Sequence, residues 1–223
     1  MKYELEGGNL PVVVCHLEPG ETLKTEKGAM SWMSNNMKMS TNAGSGILGR
    51  VFSGETIFLN EYKAEGGPGM IAFASSFPGS ILPYHVTPGH DLIVQKRGFL
   101  AMEDGLNLGI AFQKKFGAGL FAGEGFIMQR ISGDGIVFVE IDGACIKKEL
   151  QPGEQLIVDT GFIAAYTGNC TVDVQMVKGV KNVLFGGEGL FNTVITGPGT
   201  VWLQSMPICG VARAIQPYII TTK

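Results

Sequence analysis

The sequence predicts an all-β protein: three β-sandwich repeats in one chain, arranged with pseudo-threefold equivalence. Three observations predict it. A Pro-Gly turn recurs at Pro19-Gly20, Pro88-Gly89 and Pro152-Gly153, with starts 69 and then 64 residues apart. A second block of landmarks follows each turn in the same order. Glycine punctuation returns about every 8–12 residues between short apolar runs, the spacing of strands rather than helices. A repeat at this period sets the architecture before any residue is given a function.

The elements follow in order. Pro19-Gly20-Glu21-Thr22-Leu23 leads to Gly28-Ala29-Met30. Pro88-Gly89-His90-Asp91-Leu92-Ile93-Val94 leads to Gly98-Phe99-Leu100, and Pro152-Gly153-Glu154-Gln155-Leu156-Ile157-Val158 leads to Gly161-Phe162-Ile163. Proline presets φ and glycine accepts a positive φ, so each Pro-Gly reads as a tight turn into a strand. Later come Gly54-Glu55, Gly123-Glu124 and Gly187-Glu188, each before an apolar run. Next are Gly67-Pro68-Gly69, Gly133-Asp134-Gly135 and Gly197-Pro198-Gly199. The runs Met70-Ile71-Ala72-Phe73, Ile136-Val137-Phe138-Val139 and Thr200-Val201-Trp202-Leu203 then close the copies. The first copy is longer between its Gly-Glu and its turn, which predicts a small insertion near Glu61 to Gly66. Branched and aromatic residues fill the runs, as a pleated surface favours. No stretch keeps a 3.6-residue period for the 10–12 residues a helix needs; Asn107 to Phe116 comes nearest.

A single domain over residues 1–223 is expected, with repeats near 11–80, 81–144 and 145–215. An all-β unit of this size buries only about 60% of its chain surface and is marginal alone, so a shared core is expected. Apolar residues make up 45% of the chain, ample for that core. Charged residues make up 17%, with net charge −3. Lys96-Arg97, Lys114-Lys115 and Lys147-Lys148 are isolated pairs, so the clustered basic face of a nucleic-acid binder is missing. The four cysteines (15, 145, 170 and 209) lack Cys-x-x-Cys spacing, which excludes a common zinc or dithiol motif. The polar, acidic start Met1-Lys2-Tyr3-Glu4-Leu5-Glu6 carries no signal-peptide pattern, and no uncharged run reaches membrane-spanning length. The expected location is cytoplasmic.

Chemistry is sparse. The three histidines are His16, His85 and His90, and neither Gly-x-Ser-x-Gly nor a Walker-type loop occurs. The Gly-x-Gly turns lack the following helix that phosphate binding uses. One constellation stands out: His16, His85 and Glu149 each lie three residues before a Pro-Gly. Two imidazoles and a carboxylate at a shared axis would match a non-haem iron ligand set. However, Leu17, Val86 and Leu150 next door read as inward, which points the trio outward. Glu55, Glu124 and Glu188 form a second equivalent trio. The Gly-rich segments around Leu48, Leu120 and Leu184 read either as an exposed apolar contact surface or as strand ends where glycine permits close approach. Met30, Trp32, Met33, Met37 and Met39 fit two half-buried strands joined at Ser34-Asn35-Asn36.

The Pro-Gly-Glu openings, the Gly-Glu-Gly segments and, above all, Gly199-Thr200-Val201-Trp202-Leu203-Gln204 carry a resemblance. The chain resembles, along nearly its whole length, the bacterial and archaeal branch of the mitochondrial biogenesis family "altered inheritance of mitochondria twenty-four". That resemblance implies a fold like the trp RNA-binding attenuation protein. It brings no catalytic residues, and the fold alone does not bring RNA binding.

The resulting expectation is a non-enzymatic binding or scaffold protein without assigned catalytic, cofactor or metal residues. It would assemble with itself or with a protein partner, with peripheral membrane contact through the Gly-rich apolar loops and no nucleic acid. The alternative is a small-molecule-binding or metal-dependent enzyme with a site in the β-sandwich, built on His16, His85 and Glu149.

Overall fold

The Pro-Gly segments form three copies of one turn. The N–H groups of Glu21, His90 and Glu154 donate to the carbonyls of Glu18, Thr87 and Gln151 at 3.0, 2.9 and 2.9 Å. Gly20, Gly89 and Gly153 take φ of 91°, 82° and 79° between them. Proline second, left-handed glycine third and this hydrogen bond define a type II turn. Space is not the constraint, since an added Cβ at each of these glycines would meet nothing within 4 Å. In the first and third copies the glutamate after the glycine also folds back, accepting from the N–H of Glu18 and Gln151 at 2.8 Å.

The computed structural model describes residues 1–26, 28–42, 59–114, 126–176 and 191–219. Within them the chain is nearly all strand. β1 (Lys2–Glu6) precedes a first set of six: β2 (Val12–Leu17), β3 (Thr22–Glu26), β4 (Met30–Met33), β5 (Met37–Asn42), β6 (Leu59–Ala64) and β7 (Gly69–Ala74). The second set is β8 (Gly79–Val86), β9 (Leu92–Gln95), β10 (Phe99–Glu103), β11 (Leu106–Lys114), β12 (Phe126–Gly133) and β13 (Gly135–Asp142). The third is β14 (Cys145–Leu150), β15 (Gln155–Asp159), β16 (Ile163–Thr167), β17 (Thr171–Met176), β18 (Phe191–Thr196) and β19 (Gly199–Gln204). One short helix, α1 (Ile208–Ile215), follows.

Each set pairs its strands alike. The first, sixth and third strands form one antiparallel ribbon, and the fourth, fifth and second form another. The second strand of one set then pairs with the third strand of the next, β3 with β10 and β9 with β16. These two junctions fuse ribbons into two six-stranded sheets, β5-β6-β3-β10-β13-β8 and β11-β12-β9-β16-β19-β14. The chain ends keep shorter sheets, β1-β2-β7-β4 and β15-β18-β17.

Three apolar cores lie between the four sheets. The first holds Leu17, Leu23, Ile71, Phe73 and Phe138; the second Val94, Met102, Ile131, Val137 and Trp202; the third Ile93, Phe126, Met128, Ile195 and Val201. Burying one such phenylalanine contributes about 1.5–3 kcal/mol relative to leaving it exposed. β13 explains why its run is unbroken rather than alternating. Val137 and Val139 face the second core while Phe138 faces the first, so both sides of the strand are covered.

Pairing refines the sequence alignment. Leu23, Leu92 and Leu156 sit opposite Tyr62, Ile131 and Ile195, which equates Ala64 with Gly133 and Gly197. The insertion of the first copy therefore falls after Ala64, in the turn Glu65-Gly66-Gly67-Pro68, slightly later than Glu61 to Gly66. The third strands carry one shared β-bulge, between Met30 and Trp32, Phe99 and Ala101, and Ile163 and Ala165. By that bulge Gly98 matches Ala29 and Phe162, one residue later than the glycine spacing predicts. The methionine-rich stretch does form two strands joined at Ser34-Asn35-Asn36, but β4 and β5 belong to different sheets. Met37 is buried, whereas Trp32, Met33 and Met39 are exposed.

Candidate functional site

The sequence-predicted trio does not come together. His16 lies exposed on β2 with Nε2 3.7 Å from Glu4. His85 lies exposed on β8 with Nε2 3.1 Å from Asp134 Oδ1, and Glu149 lies exposed on β14 with Oε1 2.6 Å from Lys147 Nζ. Leu17, Val86 and Leu150 are buried, so strand alternation turns their neighbours to solvent. Among the described residues no group of three or more His, Cys, Asp or Glu is arranged to hold a metal. Glu55, Glu124 and Glu188, and likewise Leu48, Leu120 and Leu184, lie outside the described residues.

The described residues do form a cleft of about 480 Å³ where α1 returns over the second junction. Its floor includes Gln95, Gly98, Ala164 and Gln204, and its roof Pro207, Ile208 and Ala212. Glu140, Asp142, Arg97 and Arg213 stand at its polar side. Pro207 offers no capping side chain, so the helix start is held from a distance: the N–H of Ile208 donates to Asp142 Oδ2 at 2.7 Å. Burial pushes the Asp142 carboxyl up from its ordinary pKa, against that hydrogen bond and the nearby Arg97 charge. The floor is fastened by Gln204, whose Nε2 donates to Gly161 O at 2.7 Å and Gln95 Oε1 at 3.0 Å. Gln204 Oε1 accepts from the Asp142 N–H at 3.3 Å. Glu140 is also engaged, accepting from the Ser76 N–H at 2.6 Å and from the hydroxyls of Ser75 and Ser76 at 3.0 Å.

Asp142, Gln204 and Glu140 are thus committed to structure, and the rest of the wall joins apolar Ala164, Pro207, Ile208 and Ala212 to the cations Arg97 and Arg213. Cys209 lines it as well. The most perturbed thiol lies elsewhere: Cys15 is fully buried in the first core, where burial pushes its pKa up to about 12.

Sequence reading missed the cleft because its roof is a helix of eight residues after the last strand. It also missed a buried polar position shared by the fifth strands. Asn60, Gln129 and Thr193 sit opposite Thr25, Val94 and Val158 and are all buried. Thr193 shares a 2.9 Å hydrogen bond with Thr160, and Gln129 donates to Glu26 at 3.1 Å. Aligning the fifth strands by their pairing partners would have shown a polar residue at this place in all three copies.

A family model described as mitochondrial biogenesis AIM24 matches residues 3–206. The chain is similar in fold to protein SPYM3_0169 from Streptococcus pyogenes, whose crystal structure superposes with a TM-score of 0.80. That likeness covers 98% of this chain and 99% of the other at 21% sequence identity. No curated protein matches the sequence. Among the described residues no helix is long and apolar enough to cross a membrane, which says nothing about strands.

Proposed function

As the chain belongs to the mitochondrial biogenesis AIM24 family, we propose that it acts as a binding and scaffold protein rather than a catalyst. Its recognition cleft is the one beneath α1. The observation that carries this reading is the state of the cleft's polar groups. Asp142 holds the helix start, Gln204 joins Gln95 to the Gly161 carbonyl, and Glu140 holds Ser75 and Ser76. Groups already spent on structure make a shaped wall rather than an acid–base pair. Ala164, Pro207, Ile208 and Ala212 supply apolar surface, and Arg97 and Arg213 suit an anionic end. A concave, mostly apolar site with a few convergent polar groups is how small ligands are held. The chemistry to expect is an apolar body carrying a negative group.

The test uses 8-anilinonaphthalene-1-sulfonate, an apolar ring system with a sulfonate, followed by fluorescence titration. The native protein is expected to bind one equivalent saturably. Ala212 is exposed on the helix, so an Ala212→Trp variant fills the cleft without disturbing a core and is expected to weaken binding at least tenfold. Absence of saturable binding, or equal binding by the variant, would refute the cleft.

A further inference from the structure

We infer that α1 is a lid hinged at Pro207, which must lift from the floor for a ligand to enter or leave the cleft. The inference deepens the cleft reading above and rests on it.

The hold on the chain changes at Pro207. Up to that residue, the segment after β19 is fixed to the end of β13 and the turn that follows it. The N–H groups of Ser205 and Met206 donate to the carbonyls of Ala144 and Asp142, both at 3.2 Å. Ser205 Oγ accepts from the Ala144 N–H at 2.8 Å. Pro207 itself is buried. Past it stands one attachment, the 2.7 Å bond from the Ile208 N–H to Asp142 Oδ2. Among the described residues no hydrogen bond or ion pair joins residues 209–219 to any strand. The ring of Pro207 fixes its φ, leaving its ψ, now 134°, as the free axis. Rotation about that axis carries the Pro207 carbonyl with the helix. The bonds that Gly210 and Val211 N–H make to it, at 2.8 and 3.3 Å, therefore survive the motion. Hinges of this kind are a few residues at the end of an element.

Packing does not replace the missing bonds. A surface helix ordinarily buries an apolar stripe against a core. None of the residues of α1 is buried. Ile208 and Ala212, and Ile219 beyond the helix, face the cleft instead. Ile215 and Ile219 are 51% and 59% exposed. Segments with few buried contacts open at the lowest free energy. Asp142 sets how firmly the lid is held. Its oxygen gains the Ile208 N–H, while burial beneath the helix start disfavours the charged carboxyl. The two effects oppose each other, so the latch releases at small cost. Lids of this kind cover a site and let its ligand go by opening. Cys209 gives the motion a reporter. Its Sγ lies 3.5 Å from the place a Cβ on Gly161 would take, the nearest atom to that place. This is ordinary contact, so Gly161→Cys fits there and brings its thiol within disulfide reach of Cys209 when the lid is down.

Two measurements on the full chain test the lid. The first follows N-ethylmaleimide labelling of each cysteine by peptide mass spectrometry. Asp142→Ala removes the latch and is expected to speed labelling of Cys209 several-fold. Cys15 and Cys170 lie in the first and third cores and should stay unlabelled in the same sample. The second follows uptake and release of 8-anilinonaphthalene-1-sulfonate by the Gly161→Cys variant in stopped flow. Oxidation to the disulfide with Cys209 is expected to slow both at least tenfold, and reductant should restore them. Equal exchange rates in the oxidised and reduced forms overturn the inference and leave α1 a fixed wall. So does unchanged Cys209 labelling in Asp142→Ala. Labelling of Cys15 and Cys170 in step with Cys209 overturns it as well, since α1 would then move only with the whole fold. Failure of the native protein to bind the sulfonate counts instead against the cleft, and the labelling still decides whether α1 lifts.

Discussion

At the residue scale, the three Pro-Gly turns isolate a backbone effect from packing. Gly20, Gly89 and Gly153 hold left-handed φ with open space around the missing Cβ. Alanine at each therefore meets no clash but must adopt a conformation costing an L-residue about 1–2 kcal/mol. The single Gly→Ala variants are expected to lose that amount each in denaturant unfolding. The triple variant should lose close to the sum, because the turns share no contacts. A clearly smaller loss at Gly89 would show that His90, which replaces the back-folding glutamate of the other copies, lets that turn change type. The turns were legible in the sequence because their chemistry is local: proline and left-handed glycine leave no alternative reading. Gly98 misled for the converse reason. Its Cβ position lies 3.1 Å from the Glu140 carbonyl, so it is set by a neighbouring strand and not by turn geometry.

At the element scale, the strands could be read and their partners could not. Unbroken apolar runs such as Ile136-Val137-Phe138-Val139 announce burial on both faces, yet nothing local says that β13 lies beside β10 and β8 in a sheet shared by two repeats. The helix α1 was invisible because eight residues are too few to establish a period. Its docking has a pH signature through Asp142. Burial raises this carboxyl in the folded state, whereas the unfolded chain keeps the ordinary carboxylate value near about 4. Between those values the folded state binds more protons, so the contribution of Asp142 is fullest in acid and is lost as pH rises through the raised value. Asparagine keeps an oxygen to accept from the Ile208 N–H without the buried charge. The Asp142→Asn variant is therefore expected to gain in melting temperature over wild type as pH goes from about 4 to 7. A difference that is flat with pH, or that favours wild type at neutral pH, would show that the ion interaction with Arg97 outweighs burial.

At the scale of the whole molecule, four sheets and three cores in series make the stability modular. The first and third cores share no residue; the two six-stranded sheets and the second core separate them. Such an array resembles stacked repeats, whose stability is a sum of local terms and nearest-neighbour contacts. Ile195 is fully buried in the third core, and truncating it to alanine costs about 2–5 kcal/mol by loss of contacts and a cavity. If the cores couple only through their neighbours, Ile195→Ala should accelerate amide hydrogen exchange most in β15, β17 and β18. The effect should be weaker in β9 and β16, and β2 and β7 should stay near wild type. Phe73→Ala in the first core should show the reverse gradient. Equal acceleration throughout by either variant would mean that the cores unfold as one unit, and the two junctions would then have to transmit nearly the whole stability of each repeat. The same measurement reads the sheet edges. Among the described residues β4 and β15 pair with one neighbouring strand each, so their amides should exchange faster than those of β10 and β3, which pair on both sides.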